Sequence, residues 1–196
     1  MKNAVLCLVA YAMVRVALEW PSFTAAYLME SPTRMSLQQV QRIAELASVS
    51  SALGALLAGI LSWCAFNPSA PTGRQQMRYY LLVAVVPAAG SISVLMGSPL
   101  SVTVGLVMVA LGCGAMRPIV FSMLIEQVRP SLAGFWSGML ACVSFLGVSL
   151  VFRPGSRWIE AMGYPLSAAV VALVPVVGAA ILQVLKATPE QSLGKA

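Results

Sequence analysis

The sequence contains no histidine. It contains no aspartate either, and its only acidic side chains are six glutamates. Those absences remove every His-based triad, any imidazole proton relay and most metal-ligand sets. Charge of either sign is scarce: charged residues make up 9% of the chain, against about 25% in a soluble domain. So few charges would leave a soluble surface largely uncovered. Cysteine is sparse as well. Cys7, Cys64, Cys113 and Cys142 stand singly in apolar stretches, with no CxxC or disulfide spacing, and read as buried reduced thiols in packing positions. No nucleophile–base pair and no metal cluster can be drawn, so the sequence implies no enzyme, no metal and no cofactor. The net charge of +6 forms no dense patch or stripe. It argues against nucleic acid as a partner and fits cytoplasmic loops facing an anionic lipid leaflet.

What the chain has instead is apolar length. Hydrophobic residues account for 59% of it, and the mean hydropathy is +0.87. Each of six stretches reaches or approaches the ~20 residues needed to cross hydrocarbon. The first runs from about Asn3 to Leu28. Lys2 followed by an apolar run imitates a signal peptide, but Arg15 and Glu19 interrupt the run and no small-residue cleavage site follows, so the segment reads as a retained helix. The second starts at a capping-box pattern, Ser36 with Gln39, and its apolar body spans Leu46 to Phe66. After the polar connection NPSAPTGRQQMR come a third span, Tyr79 to Met96, and a tight turn at Gly97, Ser98 and Pro99. The fourth, Leu100 to Pro130, is ended by Arg129 and Pro130. The fifth runs from Ser131 to about Val151, with a Gly134–Gly138 pair at the spacing that lets helices approach closely. FRPGSRWIEAMGY reads as an exit loop with a short amphipathic piece, and Pro165 opens a sixth span that continues to Lys186. The expected organisation is one all-α transmembrane domain over residues 1–187 and a polar cytoplasmic tail over 188–196.

Three charges fall in the middle of spans: Arg15 and Glu19 in the first, Arg117 in the fourth. A cation in hydrocarbon costs roughly 2.5 kcal/mol or more, which makes each a functional-site candidate. Each of the two spans also carries a proline beyond its charge, Pro21 and Pro118, and a proline deletes a backbone donor and opens a helix locally. Arg15 and Glu19 are four residues apart and share a helix face. Two readings of them stand: a self-neutralising pair that lets the helix insert, or a site in which Glu19 carries a coupling proton beside Arg15. Arg117 has no partner in its own helix and must find Glu19, backbone carbonyls, water or an anionic solute. Glu126 and Arg129 read as a structural ion pair at the end of the fourth span. Trp20 and Tyr11 could line a cavity, Tyr27 reads as an interface anchor and Trp136 as packing.

The run from Gly112 to Pro130, the small-residue helix SLAGFWSGMLACVSFLGV and the loop ending MGYP resemble the last three helices of a major facilitator superfamily transporter. NPSAPTGRQQMR resembles the basic connection after the eighth helix of that family, without its usual acidic residue. The resemblance covers the chain as a carboxy-terminal six-helix half. It implies two inverted three-helix repeats, with the first helix of each lining a central cavity. Those helices would be the first and fourth, which hold Arg15, Glu19 and Arg117. The expectation is therefore a half-size transporter moving a small anionic or zwitterionic solute by alternating access. Arg15 and Arg117 would bind substrate and Glu19 would couple protons. A second six-helix half, as a homodimer or a heteromer, would complete the cavity, and lipid is the other partner. The rival reading is a non-transporting scaffold, an assembly factor or a truncated transporter remnant. The bias of Lys and Arg places the termini and the Asn67–Arg78 loop in the cytoplasm and the Met29–Arg34 loop outside; the membrane expected is the plasma (inner) membrane.

Overall fold

The structure is a computed structural model that describes residues 2–23, 25–30, 34–65, 72–128 and 130–187, and among these it contains helices and short connections but no strand. The helices are α1 (Lys2–Phe23), α2 (Ala25–Glu30), α3 (Leu37–Ala65), α4 (Thr72–Leu95), α5 (Pro99–Glu126), α6 (Ala133–Met162) and α7 (Tyr164–Ala187). All but the short α2 are long and apolar enough to cross a membrane, giving six candidate spans among the described residues. This is the all-α, six-helix membrane architecture expected from the hydropathy.

Local chemistry sets several helix ends. Ser36 and Gln39 form the reciprocal box that starts α3: the Ser36 amide donates to Gln39 Oε1 at 2.8 Å and the Gln39 amide to Ser36 Oγ at 3.3 Å. Gly97 takes φ +69°, which an L side chain resists, and so reverses the chain between α4 and α5. Ser98 then caps α5, accepting from the Ser101 amide at 3.2 Å, with Pro99 in the first turn where its missing donor costs nothing.

Other boundaries differ from the expectation. The first span is described as α1, to Phe23, and α2, from Ala25. The exit loop assigned to FRPGSRWIEAMGY is helix: α6 runs unbroken through Pro154 to Met162, because Gly155 and Ile159 lie four residues apart and bury one face against the bundle. α5 ends at Glu126, before Arg129, and a 3-10 turn over Pro130–Leu132 delays α6 to Ala133. The basic connection is partly helical as well, since Thr72–Arg78 form the start of α4. Neither α1 nor α5 is interrupted at its proline: α1 continues through Pro21 to Phe23 and α5 through Pro118 to Glu126. The tail 188–196 and Arg129, hence the Glu126–Arg129 pair, lie outside the described residues.

α1 and α5 form the centre. α1 packs against α5, α6 and α7; α5 packs against α1, α3 and α4; and α4 meets α7. The buried face of α5 is Leu106, Val109, Cys113, Met116, Val120 and Leu124, a helical stripe three or four residues apart. Lipid tails are as apolar as leucine, so helix association rests on close packing rather than on escape from water. Glycine supplies that closeness along α5. A Cβ on Gly90 would come within 2.7 Å of the Gly105 carbonyl oxygen, and one on Gly105 within 2.6 Å of the Gly90 oxygen, where α4 crosses α5. Where α3 crosses α5, a Cβ on Gly54 would collide with the Leu111 carbonyl and one on Gly114 with that of Ser51. The Gly134–Gly138 pair singled out in the sequence makes no such crossing: both glycines are exposed, and a Cβ at either meets nothing within 4 Å. Outward faces of α3 and α6 carry Leu53, Leu57, Ile60, Phe145, Leu146 and Leu150, all exposed. Cys7 and Cys113 are buried as expected, but Cys142 is exposed on α6.

Candidate functional site

Depth along the bundle follows from one polar contact. Asn3 Nδ2, in the first turn of α1, donates to Oε1 of Gln127, the residue that caps α5, at 3.3 Å. These ends therefore meet, and the two central helices run antiparallel. Arg15 lies twelve residues beyond Asn3, or ~18 Å at 1.5 Å per residue; Arg117 lies ten residues before Gln127, or ~15 Å. Each thus stands about half the ~30 Å thickness of a hydrocarbon layer from the ends that meet.

Side chains at that depth surround a cavity of about 240 Å³. α1 contributes Arg15, Leu18 and Glu19, and α5 contributes Arg117. The three charged residues picked from the sequence thus share one cavity. Its remaining wall is a face of α3: Ala44, Ala47, Ser48 and Ser51, at the i, i+3, i+4, i+7 positions of one helical stripe. Small residues leave the space open, and the two hydroxyls can donate into it. Sequence reasoning passed over this wall because it sought charge. The four-residue stripe of small side chains was the available signal.

The two arginines are held differently. Arg15 Nη2 meets Glu19 Oε1 at 2.6 Å, and the side chains keep 24% and 33% of their surface exposed, so the pair faces the cavity instead of the packed core. The Arg15 guanidinium also lies 5.9 Å from the centre of the Phe145 ring of α6. Arg117 Nε donates to the Tyr11 hydroxyl at 3.4 Å, and its guanidinium carbon lies 5.9 Å from the centre of the same ring. Among the described residues Arg117 makes no ion pair, so Glu19 neutralises Arg15 alone. One positive charge in the cavity is left over. Tyr11 supports a cavity arginine, whereas Trp20 is buried in the core, edge-on to Phe152 at 5.7 Å between ring centres. Tyr27 and Trp136 are half-buried and pack against the core.

Fold and site together define a polytopic helical membrane protein with a cationic cavity lined by α1, α3 and α5. The arrangement is similar to that of a solved transporter, the POT family transporter PepTSo crystallised in meso, with a TM-score of 0.73 and 16% sequence identity over 95% of this chain. At that identity the likeness is one of fold. This chain spans 37% of the length of that one. No protein-family model matches the sequence, and no curated protein matches it.

Proposed function

We propose that this chain is a six-helix unit of a major facilitator-type secondary transporter. It carries a small anionic or zwitterionic solute across the plasma (inner) membrane by alternating access, with its termini in the cytoplasm. Arg117 and Arg15 attract the solute, and Glu19 takes up and releases the coupling proton. The observation that carries the reading is the excess cation: two guanidiniums and one carboxylate around one cavity. At an effective dielectric of about 20, a unit anion ~4 Å from Arg117 would gain about 4 kcal/mol of Coulomb energy before desolvation. That exceeds the roughly 2.5 kcal/mol the arginine costs in hydrocarbon.

The packing pairs support an inverted repeat. Exchanging α1, α3 and α4 with α5, α6 and α7 turns α1–α6 into α5–α3 and α1–α7 into α5–α4, and leaves α1–α5 and α4–α7 unchanged. α1 and α5 are antiparallel, as inversion requires. The exposed apolar faces of α3 and α6, and a length 37% of that of the solved transporter, support a second six-helix unit, either another copy or a separate half.

The scaffold reading draws on the 2.6 Å Arg15–Glu19 bridge, which on its own could be a charge-neutral insertion device. It leaves Arg117 unexplained. The two are separated in proteoliposomes with an imposed pH gradient, by following uptake of a panel of amino acids and small organic acids. Gradient-driven uptake of at least one by the wild type, and none by Glu19→Gln, is the expected result. A well-folded chain that moves no solute in either direction, alone or with a co-purifying partner, would sink the transporter reading.

A further inference from the structure

We infer that Tyr11 is a positioning residue that sets the anion specificity of the cavity by fixing which edge of the Arg117 guanidinium a solute meets. This rests on the transporter reading of the cavity and adds the residue that selects among anions.

A guanidinium offers two forks to a planar oxyanion: the side edge, made by Nε and one terminal nitrogen, and the end edge, made by the two terminal nitrogens. The Nε–H of Arg117 is already given to the Tyr11 hydroxyl at 3.4 Å. That removes the side fork. Among the described residues no second hydrogen bond and no ion pair reaches this side chain, so the end fork alone remains for a ligand. The Tyr11 ring, 5.9 Å from the guanidinium carbon, provides a second restraint on the same group.

Tyr11 and Arg117 come to one level by the antiparallel run of α1 and α5. Tyr11 stands eight residues beyond Asn3, or ~12 Å, beside the ~15 Å of Arg117. Tyr11 is four residues before Arg15, so both point to the same side of α1, yet Tyr11 does not line the cavity. It holds the arginine from outside the cavity lining. A fork fixed in this way selects solutes with two coplanar oxygens, the carboxylate class, over chloride, which cannot take both donors in parallel, and over the neutral amide. Ser48 and Ser51 on the facing wall have hydroxyls for the remaining lone pairs of such a carboxylate.

The test uses the full chain in mild detergent. Thermal stabilisation is titrated with amino acids and small mono- and dicarboxylates, with the matching amides, and with chloride. For the wild type, at least one carboxylate should stabilise at concentrations where its amide and chloride do not. Tyr11→Phe keeps the ring and loses only the hydroxyl that accepts from Arg117 Nε. It should weaken carboxylate binding by about tenfold and shrink the carboxylate-over-chloride ratio by a similar factor. In an Arg117→Lys background, which has no Nε–H to hold, adding Tyr11→Phe should change neither quantity further. Carboxylate affinity and selectivity in Tyr11→Phe equal to wild type would overturn the inference while leaving the cavity reading intact. So would a loss of ligand-free stability with an unchanged selectivity ratio, because a merely structural tyrosine behaves that way. Failure of every carboxylate to stabilise the wild type would remove the anion-site reading and this inference with it.

Discussion

At the scale of single residues, Arg117 and Glu19, cavity charges of opposite sign, should fail in different ways. Arg117→Ala removes charge-assisted hydrogen bonds worth about 1.5–3 kcal/mol, so solute affinity should fall roughly 10- to 150-fold and transport with it. Arg117→Lys should recover only part of this, because a compact ammonium has no planar fork. Glu19→Gln retains an acceptor for Arg15 but cannot titrate. It should stop accumulation against a gradient while substrate exchange between equal concentrations continues. Counterflow and gradient-driven uptake, both normalised to folded protein, separate the two steps. Equal loss of both in Glu19→Gln would reduce the glutamate to a partner of Arg15. The charges themselves were legible in the sequence, since a charge in an apolar run stands out along one dimension. Ser48 and Ser51 were not, because an isolated hydroxyl in a membrane helix is ordinary until its direction is known; Tyr11 stood out as a cavity aromatic, but its contact with Arg117 did not.

At the scale of helices, the α3–α5 crossing beside the cavity depends on Gly54 and Gly114, whose missing Cβ atoms make room for the Leu111 and Ser51 carbonyls. Gly114→Ala would press a methyl group onto the backbone of α3, and overpacking of this kind costs about 1–3 kcal/mol. Gly138→Ala makes the same change on an exposed face with nothing within 4 Å. The helix-propensity gain of up to about 1 kcal/mol is common to both, so their difference isolates the collision. Thermal unfolding in detergent should fall by several degrees for Gly114→Ala and stay level or rise for Gly138→Ala. The reverse order would mean that the crossing lies at the fifth span after all. Helix starts were readable because Ser36 with Gln39 and Gly97 with Ser98 act within one turn of chain. The length of α6 was not. Arg153, Pro154 and Gly155 spell a loop locally, and only the burial of Gly155 and Ile159 against the bundle overrides them.

For the whole molecule, the predictions concern orientation and assembly. With the four native cysteines replaced, a cysteine at Gln127, exposed where α5 ends, should react only with reagents that reach the cytoplasm. One at Gln38, exposed in the first turn of α3, should react from outside. Labelling of both from one side would break the six-span topology, and exchange of their sides would invert it. An unpartnered bundle would leave its cavity face, with Arg15, Glu19 and Arg117, open to lipid at a cost of several kcal/mol. Mass measurement in mild detergent should therefore find a dimer or a complex with a second six-helix chain. A monomer with no partner in native membranes would count against the proposed function.

The sequence by itself determined the number of spans, their order and where along each span the charges stand, because transfer of a segment into hydrocarbon is a sum over its own residues and needs no neighbour. Tertiary structure alone decided which helices touch and which faces they turn inward. It was the packing of α1, α3 and α5 that gathered Arg15, Glu19 and Arg117 around one space, lined it with Ser48 and Ser51, and brought Tyr11 to Arg117. Those outcomes depend on helix rotation and on glycine contacts between distant parts of the chain. No single stretch of sequence carries that energy, since lipid offers each apolar face nearly the same environment as another helix does, and only close-packed contact distinguishes them.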